Sequence, residues 1–185
     1  MTSIRTIAPT LLAVDLSMIK KNMVIDGDYM DDVVTGWARG VISQLEHEIG
    51  QCLMEQTWRV TLDAFVPEIA LPHPVIDIVS VKYIDPDGAE QLLGTGDYRV
   101  RASRYDSLLV PGRGTRWPAT LADTDVVTIE VQCGYGATPA STPEEIQLYI
   151  LAKLVEQFDP VTRTERDTVQ SAFIDSLLGA CKGYT

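Results

Sequence analysis

The residue types most often used for catalysis and metal binding are sparse in this sequence. It contains three cysteines, Cys52, Cys133 and Cys181, and two histidines, His47 and His73. A zinc site needs three or four such ligands at recognisable spacings, and no such set is present. A cysteine nucleophile and its histidine base meet in space rather than in sequence, so a small cytosolic enzyme using Cys52 or Cys133 with His47 stays open. The sequence otherwise predicts no metal, no cofactor and no catalytic residue.

The glycine-rich segments and the paired acids have structural explanations. Residues 94–96, 112–114 and 134–136 lack the Lys-Ser/Thr pair and the helix start that a phosphate-binding loop requires, so we interpret them as turns. The acidic pairs 31–32 and 144–145 stand at predicted helix starts, where the helix dipole favours negative charge. General acid–base chemistry is the weaker interpretation of these carboxylates.

An arginine-rich stretch stands out from an acidic background. The chain has 15 Lys and Arg against 26 Asp and Glu, and its net charge is −11. Residues 97–117 reverse this balance, because the acids there are only Asp97 and Asp106. Arginine pairs well with carboxylates and is enriched at interfaces. The stretch is therefore a solvated rim, partly held by these two acids, or a contact surface for a neighbouring copy, an acidic partner or a DNA backbone. The candidate contact residues are Arg99, Arg101, Arg104, Arg113 and Arg116.

The first of three zones, residues 15–55, is predicted to be helical. The carboxylate of Asp15 is placed to cap a short helix over residues 16–24. A second helix starts at the acidic pair 31–32 and ends at Gly50, which takes the left-handed conformation easily. The core-facing stripe predicted for this second helix is Val34, Trp37, Ala38, Val41, Leu45 and Ile49.

The second zone, residues 56–136, is predicted to be rich in strands. Alternation of polar and apolar residues is typical of half-buried strands. A change of phase after Ile78 indicates a bulge, and residues 85–88 have the composition of a type I turn in a hairpin. Prolines 67, 72 and 74 mark a link between strands. The predicted strands cover 57–63, 76–83, 90–93, 98–101, 107–110 and 126–131.

The third zone, residues 142–181, is predicted to return to helix. Residues 142–145 form a capping box with proline at the first helical position, and Asp159-Pro160 ends that helix. A last helix is predicted over 165–178. The apolar face of the first of these helices is Ile146, Ile150, Leu151, Leu154, Val155 and Phe158.

Together the zones predict a single α+β domain over residues 1–185. Helices from both ends of the chain form its core, and a β-rich module of five to six short strands is inserted between them. The apolar runs are far shorter than the ~20 residues of a membrane span, and the N-terminus shows no signal-peptide pattern. Three widely spaced cysteines are typical of reduced thiols in a cytosolic protein.

The order of these elements resembles a known family. The short helix, the acidic break and the longer helix ending at Ile49-Gly50 are followed by several short motifs in a characteristic order. In this order and spacing, over about residues 12–180, the chain is similar to the head–tail connector family of long-tailed bacteriophages and prophages, also called adaptor or head-completion proteins. One departure is Ile49-Gly50-Gln51, where the family usually has a step similar to Thr-Gly-Arg. The motifs cover residues 56–65, 71–75, 81–88, 98–100, 117–118, 134–136 and 143–146.

The resemblance implies a structural protein of the virion and no enzymatic activity. Members of the family form a ring, commonly dodecameric, beneath the portal protein, where they extend the DNA channel and join the capsid to the neck and tail. The implied partners are other copies of the chain, the portal protein, a downstream neck or tail protein and packaged double-stranded DNA that slides through without sequence-specific binding. No membrane partner is implied, and assembly takes place in the host cytoplasm. Another neck or tail-completion protein is the alternative.

The resemblance also implies a use for the end of the chain. In the family the C-terminal segment can reach the portal, which makes the last seven residues a candidate portal-docking tail. Chain ends also fray when nothing holds them. These residues are Gly179, Ala180, Cys181, Lys182, Gly183, Tyr184 and Thr185.

Overall fold

The computed structural model describes residues 1–158 and folds them into two compact units. The β unit consists of Met1–Ala8 and Glu55–Gly134, and the helical unit of Pro9–Met54 and the chain from Tyr135 onwards. Three helices and eight strands in two sheets confirm the predicted α+β class. That the whole chain is one domain stays a prediction. The predicted helix 165–178 and the candidate tail 179–185 lie outside the described residues.

The helical unit contains α1 (Leu16–Met23), α2 (Asp31–Ile49) and α3 (Glu144–Phe158). The predicted carboxylate cap of α1 is wrong, because Asp15 occupies the N-cap position without a side-chain hydrogen bond. Its backbone carbonyl instead accepts the N–H groups of Met18 and Ile19, both at 3.0 Å. The first turn is therefore closed by the main chain alone.

Helix α2 follows its predicted limits, but two residues of its predicted stripe, Trp37 and Val41, are not buried. Gly50 ends it in the left-handed conformation, with φ at +67°, and donates its N–H to the carbonyl of Glu46. Trp37 is 40% exposed and Ile42 is buried instead, because Ile42 lies four residues after Ala38 and so continues the buried row around the helix. The buried residues of α2 are Val34, Ala38, Ile42, Leu45 and Ile49.

The three helices share one hydrophobic core. The predicted face of α3 is buried at Ile146, Ile150, Leu151 and Leu154, and Tyr149 joins it. The amide of Asn22 at the end of α1 donates to the carbonyl of Leu151 at 3.2 Å, which ties α1 to α3. Helices from both sides of the insertion thus pack together, as the sequence predicts.

The β unit contains an antiparallel five-stranded sheet in the order β1-β2-β8-β4-β5 and an antiparallel three-stranded sheet in the order β3-β7-β6. One strand more than predicted lies in the inserted module, because β3 forms within the proline-marked link. The strand β1, at the N-terminus, was also not predicted. The strands are β1 (Thr2–Ile7), β2 (Gln56–Leu62), β3 (Ile69–Leu71), β4 (Val75–Ile84), β5 (Glu90–Leu92), β6 (Tyr98–Ala102), β7 (Ser107–Pro111) and β8 (Val127–Cys133).

One face of the five-stranded sheet forms the core of the β unit. Val60, Val81 and Ile129 are fully buried there, and Val60 and Val81 both pair with Ile129 in the ladder. Phe65 covers this core beside the sheet, with its ring stacked on Trp117 at 4.7 Å. We call this the inner face and the opposite one the outer face.

The long strand β4 is irregular at two points, and the bulge predicted after Ile78 is confirmed. Its register against β8 shifts between Val75 and Asp77 and again between Ile78 and Ser80. Each shift adds one residue without a cross-strand partner. Ile76 and Val79, the two added residues, are exposed.

Candidate contact surface

The five predicted arginines all lie on or beside the hairpin of β6 and β7, and all five are exposed. Arg99 and Arg101 lie in β6, and Arg104 lies in the turn at residues 103–106. Arg113 and Arg116 follow the end of β7. The turn and the end of β7 are at opposite ends of the hairpin, on the order of 15 Å apart for five-residue strands. The arginines are therefore spread along the hairpin and do not form one patch.

The register of the hairpin shows which arginines share a face. Val100 pairs with Leu109, and Leu109 is fully buried, so the side chain of Val100 faces the core. Arg99 and Arg101 alternate with Val100 and therefore lie together on the other face of β6. We call the pair Arg99 and Arg101 the β6 arginine face. It is the part of the predicted stretch that the fold brings together.

The local partner of this face is an acid that the sequence reasoning did not name. Arg101 donates to the carboxylate of Glu68 at 2.9 Å, and both side chains are about half exposed. An ion pair so exposed adds little to stability. The carboxylate of Asp106 instead accepts the hydroxyl of Ser103 inside the turn. The backbone carbonyl of Asp97 accepts the N–H of Gly112 at 2.8 Å.

Gly112 explains why glycines flank the arginines at the end of β7. A Cβ atom at this position would lie 2.6 Å from the carbonyl oxygen of Gly96. Only glycine allows the two loop segments to approach this closely. Gly112 thus has a packing role, consistent with its interpretation as a turn residue, whereas a Cβ atom at Gly96 would meet no atom within 4 Å.

His73, to which the sequence analysis assigned no role, supports the turn that carries Arg104. It is buried, and its Nδ1 lies 2.9 Å from the hydroxyl of Ser107. Its Nε2 lies 3.1 Å from the backbone carbonyl of Arg104. Since a carbonyl only accepts, Nε2 carries the proton and Nδ1 accepts from Ser107. Burial lowers the pKa of His73, against smaller opposing effects of the Arg104 carbonyl and the Asp106 carboxylate.

The residues of the cysteine–histidine alternative differ in exposure and position. His47 is exposed on α2, whereas Cys52 and Cys133 are buried. The thiol of Cys133 lies 3.7 Å from the carbonyl of Gln56 within the β unit, while Cys52 belongs to the helical unit. In the described chain, no three His, Cys, Asp or Glu side chains are grouped so that they could hold a metal ion. Cys181 lies outside the described residues.

Two cavities of similar size are shallow and open to solvent. One of about 600 Å³ in the helical unit lies beside the Lys20–Asp31 ion pair. The other, of about 610 Å³, is in the β unit beside Asp63 and Asp123. Neither is lined by a cysteine or a histidine. Among residues 1–158, no helix is both long and apolar enough to cross a membrane.

The sequence reasoning missed one exposed surface, the N-terminal strand β1. All six of its residues are exposed, including Ile4 and Ile7 at 60% and 61%. Its composition does favour a strand, because four of the six residues are β-branched: Thr2, Ile4, Thr6 and Ile7. What the sequence does not show is the partner strand β2, more than 50 residues away.

The fold is similar to chains in solved structures of a gene transfer agent (GTA) particle. A chain in the neck of the empty GTA particle, computed with C6 symmetry, matches with a TM-score of 0.82 at 15% identity. A chain in the virion of the native particle matches at 0.80 and 16%. A chain in the native neck, computed with C12 symmetry, matches at 0.74 and 17%. Each match covers 100% of this chain and 97% of the other. No protein-family model and no curated protein matches the sequence.

Proposed function

We propose that this chain is a non-enzymatic structural protein of the neck of a phage-like particle. The observation that carries the proposal is the likeness of fold to chains in the neck and virion of the GTA particle, over the full length of the chain. At 15–17% identity this likeness establishes the fold. The step to function rests on the order of motifs in the sequence, which independently resembles head–tail connectors.

In its finer form the proposal is a ring beneath the portal, between capsid and tail. A closed ring needs unlike surfaces that meet between neighbouring copies. The β6 arginine face supplies a basic surface on a chain whose net charge is −11, and its contact is an acidic surface of a neighbouring copy or of the portal. The acidic remainder suits a channel for DNA, because carboxylates repel phosphate at short range and bind it poorly.

The test is assembly in the presence of the portal protein of the same phage or prophage. The chain is expected to form a ring on the portal, seen by negative-stain imaging and as one discrete mass by mass photometry. The mass also gives the copy number. A chain that stays monomeric with the portal present would overturn the proposal. A ring bound to a tail component instead of the portal would favour the alternative, another neck or tail-completion protein.

The enzyme alternative is tested on the same preparation. The double variants Cys52→Ala/His47→Gln and Cys133→Ala/His47→Gln remove each pairing of thiol and imidazole. A connector is expected to assemble with the portal as the unchanged chain does. The cysteine substitutions also remove buried atoms, so circular dichroism must show that each variant is folded. If folded variants no longer assemble, the chemistry of these residues matters and the proposal fails.

A further inference from the structure

The outer face of the five-stranded sheet is polar along its inner strands and apolar at its two edge strands. The ladder places Thr61, Thr128 and Lys82 side by side in one row of the outer face. The next row along contains Arg59, Glu130 and Ser80. By the same register the edge residues Ile4 and Ile7 of β1 and Leu92 of β5 lie on this face.

These edge residues are among the most exposed apolar side chains of the β unit. Ile4, Ile7 and Leu92 are 60%, 61% and 69% exposed. On the three strands between the edges, β2, β8 and β4, the exposed apolar residues are the bulge residues Ile76 and Val79 of β4, at 44% and 56%. Apolar side chains on an edge strand are half covered by their own sheet and become fully covered when another strand adds beside them.

Both edges are open in the described chain. β1 pairs with β2 on one side and β5 with β4 on one side, and each has a free row of backbone N–H and C=O groups on the other. Soluble proteins usually protect such edges with proline, with inward-pointing charges or with many charged side chains. Among the six residues of β1 the only charged side chain is Arg5, and there is no proline. Arg5 lies opposite Trp58 on the inner face, so the outer side of this edge carries no charge. An edge of this length with one charged side chain is only lightly protected, which is typical of a strand that pairs with another chain.

Charge favours pairing between unlike edges. The only charged side chain of β1 is Arg5, so this edge is positive. In β5 the carboxylate of Glu90 pairs with Lys82 at 3.0 Å, and the preceding turn adds Asp85 and Asp87, so that edge is negative. Two β1 edges repel each other, as do two β5 edges, whereas β1 and β5 attract.

The topology fixes the direction of such a contact. Neighbouring strands of the sheet are all antiparallel, so the first and fifth strands, β1 and β5, run in the same direction. Copies in a ring of many members are related by a small rotation, which keeps strand direction nearly unchanged. β1 of one copy would therefore lie parallel to β5 of the next. Pairing of β1 with β1 would require a two-fold axis and would close after two copies.

We propose that β1 of one copy adds in parallel to the β5 edge of a second copy, joining their five-stranded sheets. The proposal rests on the proposed function, because only a closed ring needs this head-to-tail contact between unlike edges. Ile4 of one copy then lies beside Leu92 of the next on the shared outer face. Each copy uses both of its edges, one as donor and one as acceptor.

Cross-linking of single cysteines tests this contact. Ile4→Cys and Leu92→Cys are made in separate chains that also carry Cys181→Ser, since Cys52 and Cys133 are buried. The chains are mixed, assembled with the portal and treated with a short bis-maleimide. A covalent dimer is expected in the mixture and not in either variant alone. A dimer from Ile4→Cys alone, or no dimer from rings visible by negative stain, would overturn the strand contact and leave the proposed function standing.

Charged substitutions give a second, independent test with a matched control. Ile4→Glu with Ile7→Glu places two negative charges on the β1 edge, which the acidic β5 edge repels. Ile76→Glu with Val79→Glu places two on β4, away from both edges. The edge variant is expected to lower the assembled fraction roughly tenfold at unchanged circular dichroism, and the control is expected to assemble normally. Equal assembly of the two variants, or equal loss, would overturn the proposal. A chain that forms no ring even without substitutions would overturn the proposed function itself.

Discussion

At the scale of single residues, His73 shows how one buried side chain fixes a loop. Its two ring nitrogens join Ser107 at the start of β7 to the carbonyl of Arg104 in the preceding turn. Both hydrogen bonds are satisfied by the neutral ring, with the proton on Nε2. If Nδ1 were also protonated, it and the Ser107 hydroxyl would both be hydrogen-bond donors facing each other. The hydroxyl would then have to rotate to accept from Nδ1. The turn is therefore held best when His73 is neutral.

The lowered pKa of His73 predicts a loss of stability in mild acid. Its pKa in the folded chain lies below the ordinary value of 6.5 because of burial, so the unfolded chain binds the proton more readily. The contribution of neutral His73 to the free energy of unfolding is therefore complete above about pH 6.5. It falls as the pH drops from there toward the pKa that His73 has in the folded chain. Urea unfolding at pH 7.5 and 5.5 measures this fall in the free energy of unfolding.

The variant His73→Gln should show a smaller fall between these two pH values. The matched control is His47→Gln, because His47 is the other histidine and is exposed on α2. This control should keep the fall of the unchanged chain. An identical pH dependence in His73→Gln and the unchanged chain would contradict the assignment of the effect to His73.

At the scale of elements, one glycine inside helix α2 and one at its C-terminal cap should respond to alanine in opposite ways. Gly50 adopts a left-handed φ of +67° at the end of the helix, and an L-residue there is strained although no atom blocks a Cβ. Gly50→Ala should therefore lower the free energy of unfolding by about 1 kcal/mol. Denaturant unfolding provides the measurement.

Gly36 lies inside α2, where an added Cβ meets no atom within 4 Å. Gly36→Ala should raise the free energy of unfolding by up to about 1 kcal/mol, because alanine loses less backbone entropy in a helix. The same measurement compares the two variants. A stabilising Gly50→Ala or a destabilising Gly36→Ala would show that another contact controls the position.

At the scale of the whole molecule, the two hydrophobic cores permit a test of the single-domain prediction. Ile129 in β8 and Ile150 in α3 are both fully buried, one in each core. Replacing either by alanine should cost about 2–5 kcal/mol. If the chain is one cooperative domain, each substitution shifts one common thermal transition by calorimetry. Two transitions, each shifted by only one variant, would show two independent domains.

Charge reversal on the β6 arginine face should weaken assembly without unfolding the subunit. Arg99→Glu with Arg101→Glu changes only exposed side chains, so the melting temperature should shift little. The fraction of this variant that assembles with the portal, measured by mass photometry, should be lower than that of the unchanged chain. Added salt should lower the assembled fraction of the unchanged chain too, because screening weakens contacts between charges.

The matched control for this face is Glu68→Gln, which removes the partner of Arg101 and keeps both arginines. It should assemble at least as well as the unchanged chain. Unchanged assembly of the arginine double variant at moderate salt would return Arg99 and Arg101 to the solvated-rim interpretation. A lower DNA affinity with normal assembly would assign them to the DNA backbone instead.

Elements with local signals could be predicted from the amino-acid sequence alone. Gly50 ends α2 because a left-handed residue is needed there. Helix α3 starts at Glu144 with two acids in its first turn, where the helix dipole favours negative charge. The capping box predicted there is wrong, because the Thr142 hydroxyl donates to the sulfur of Met54 and not to the helix. Alternation over 126–131 predicted β8, because successive side chains of a strand point to opposite faces. The order of these elements sufficed for the α+β class.

Features that depend on partners distant in sequence could not be predicted and are seen only in the folded chain. β1 is a strand because β2 supplies its hydrogen bonds, and β3 forms against β7 across a segment predicted as a link. The five arginines are spread over both ends of the β6–β7 hairpin because this hairpin separates residues that are close along the chain. His73 can hold the 103–106 turn only because folding brings the Ser107 hydroxyl and the Arg104 carbonyl to its ring nitrogens. Local preference cannot anticipate such pairings, since their free energy comes from contacts that exist only after folding.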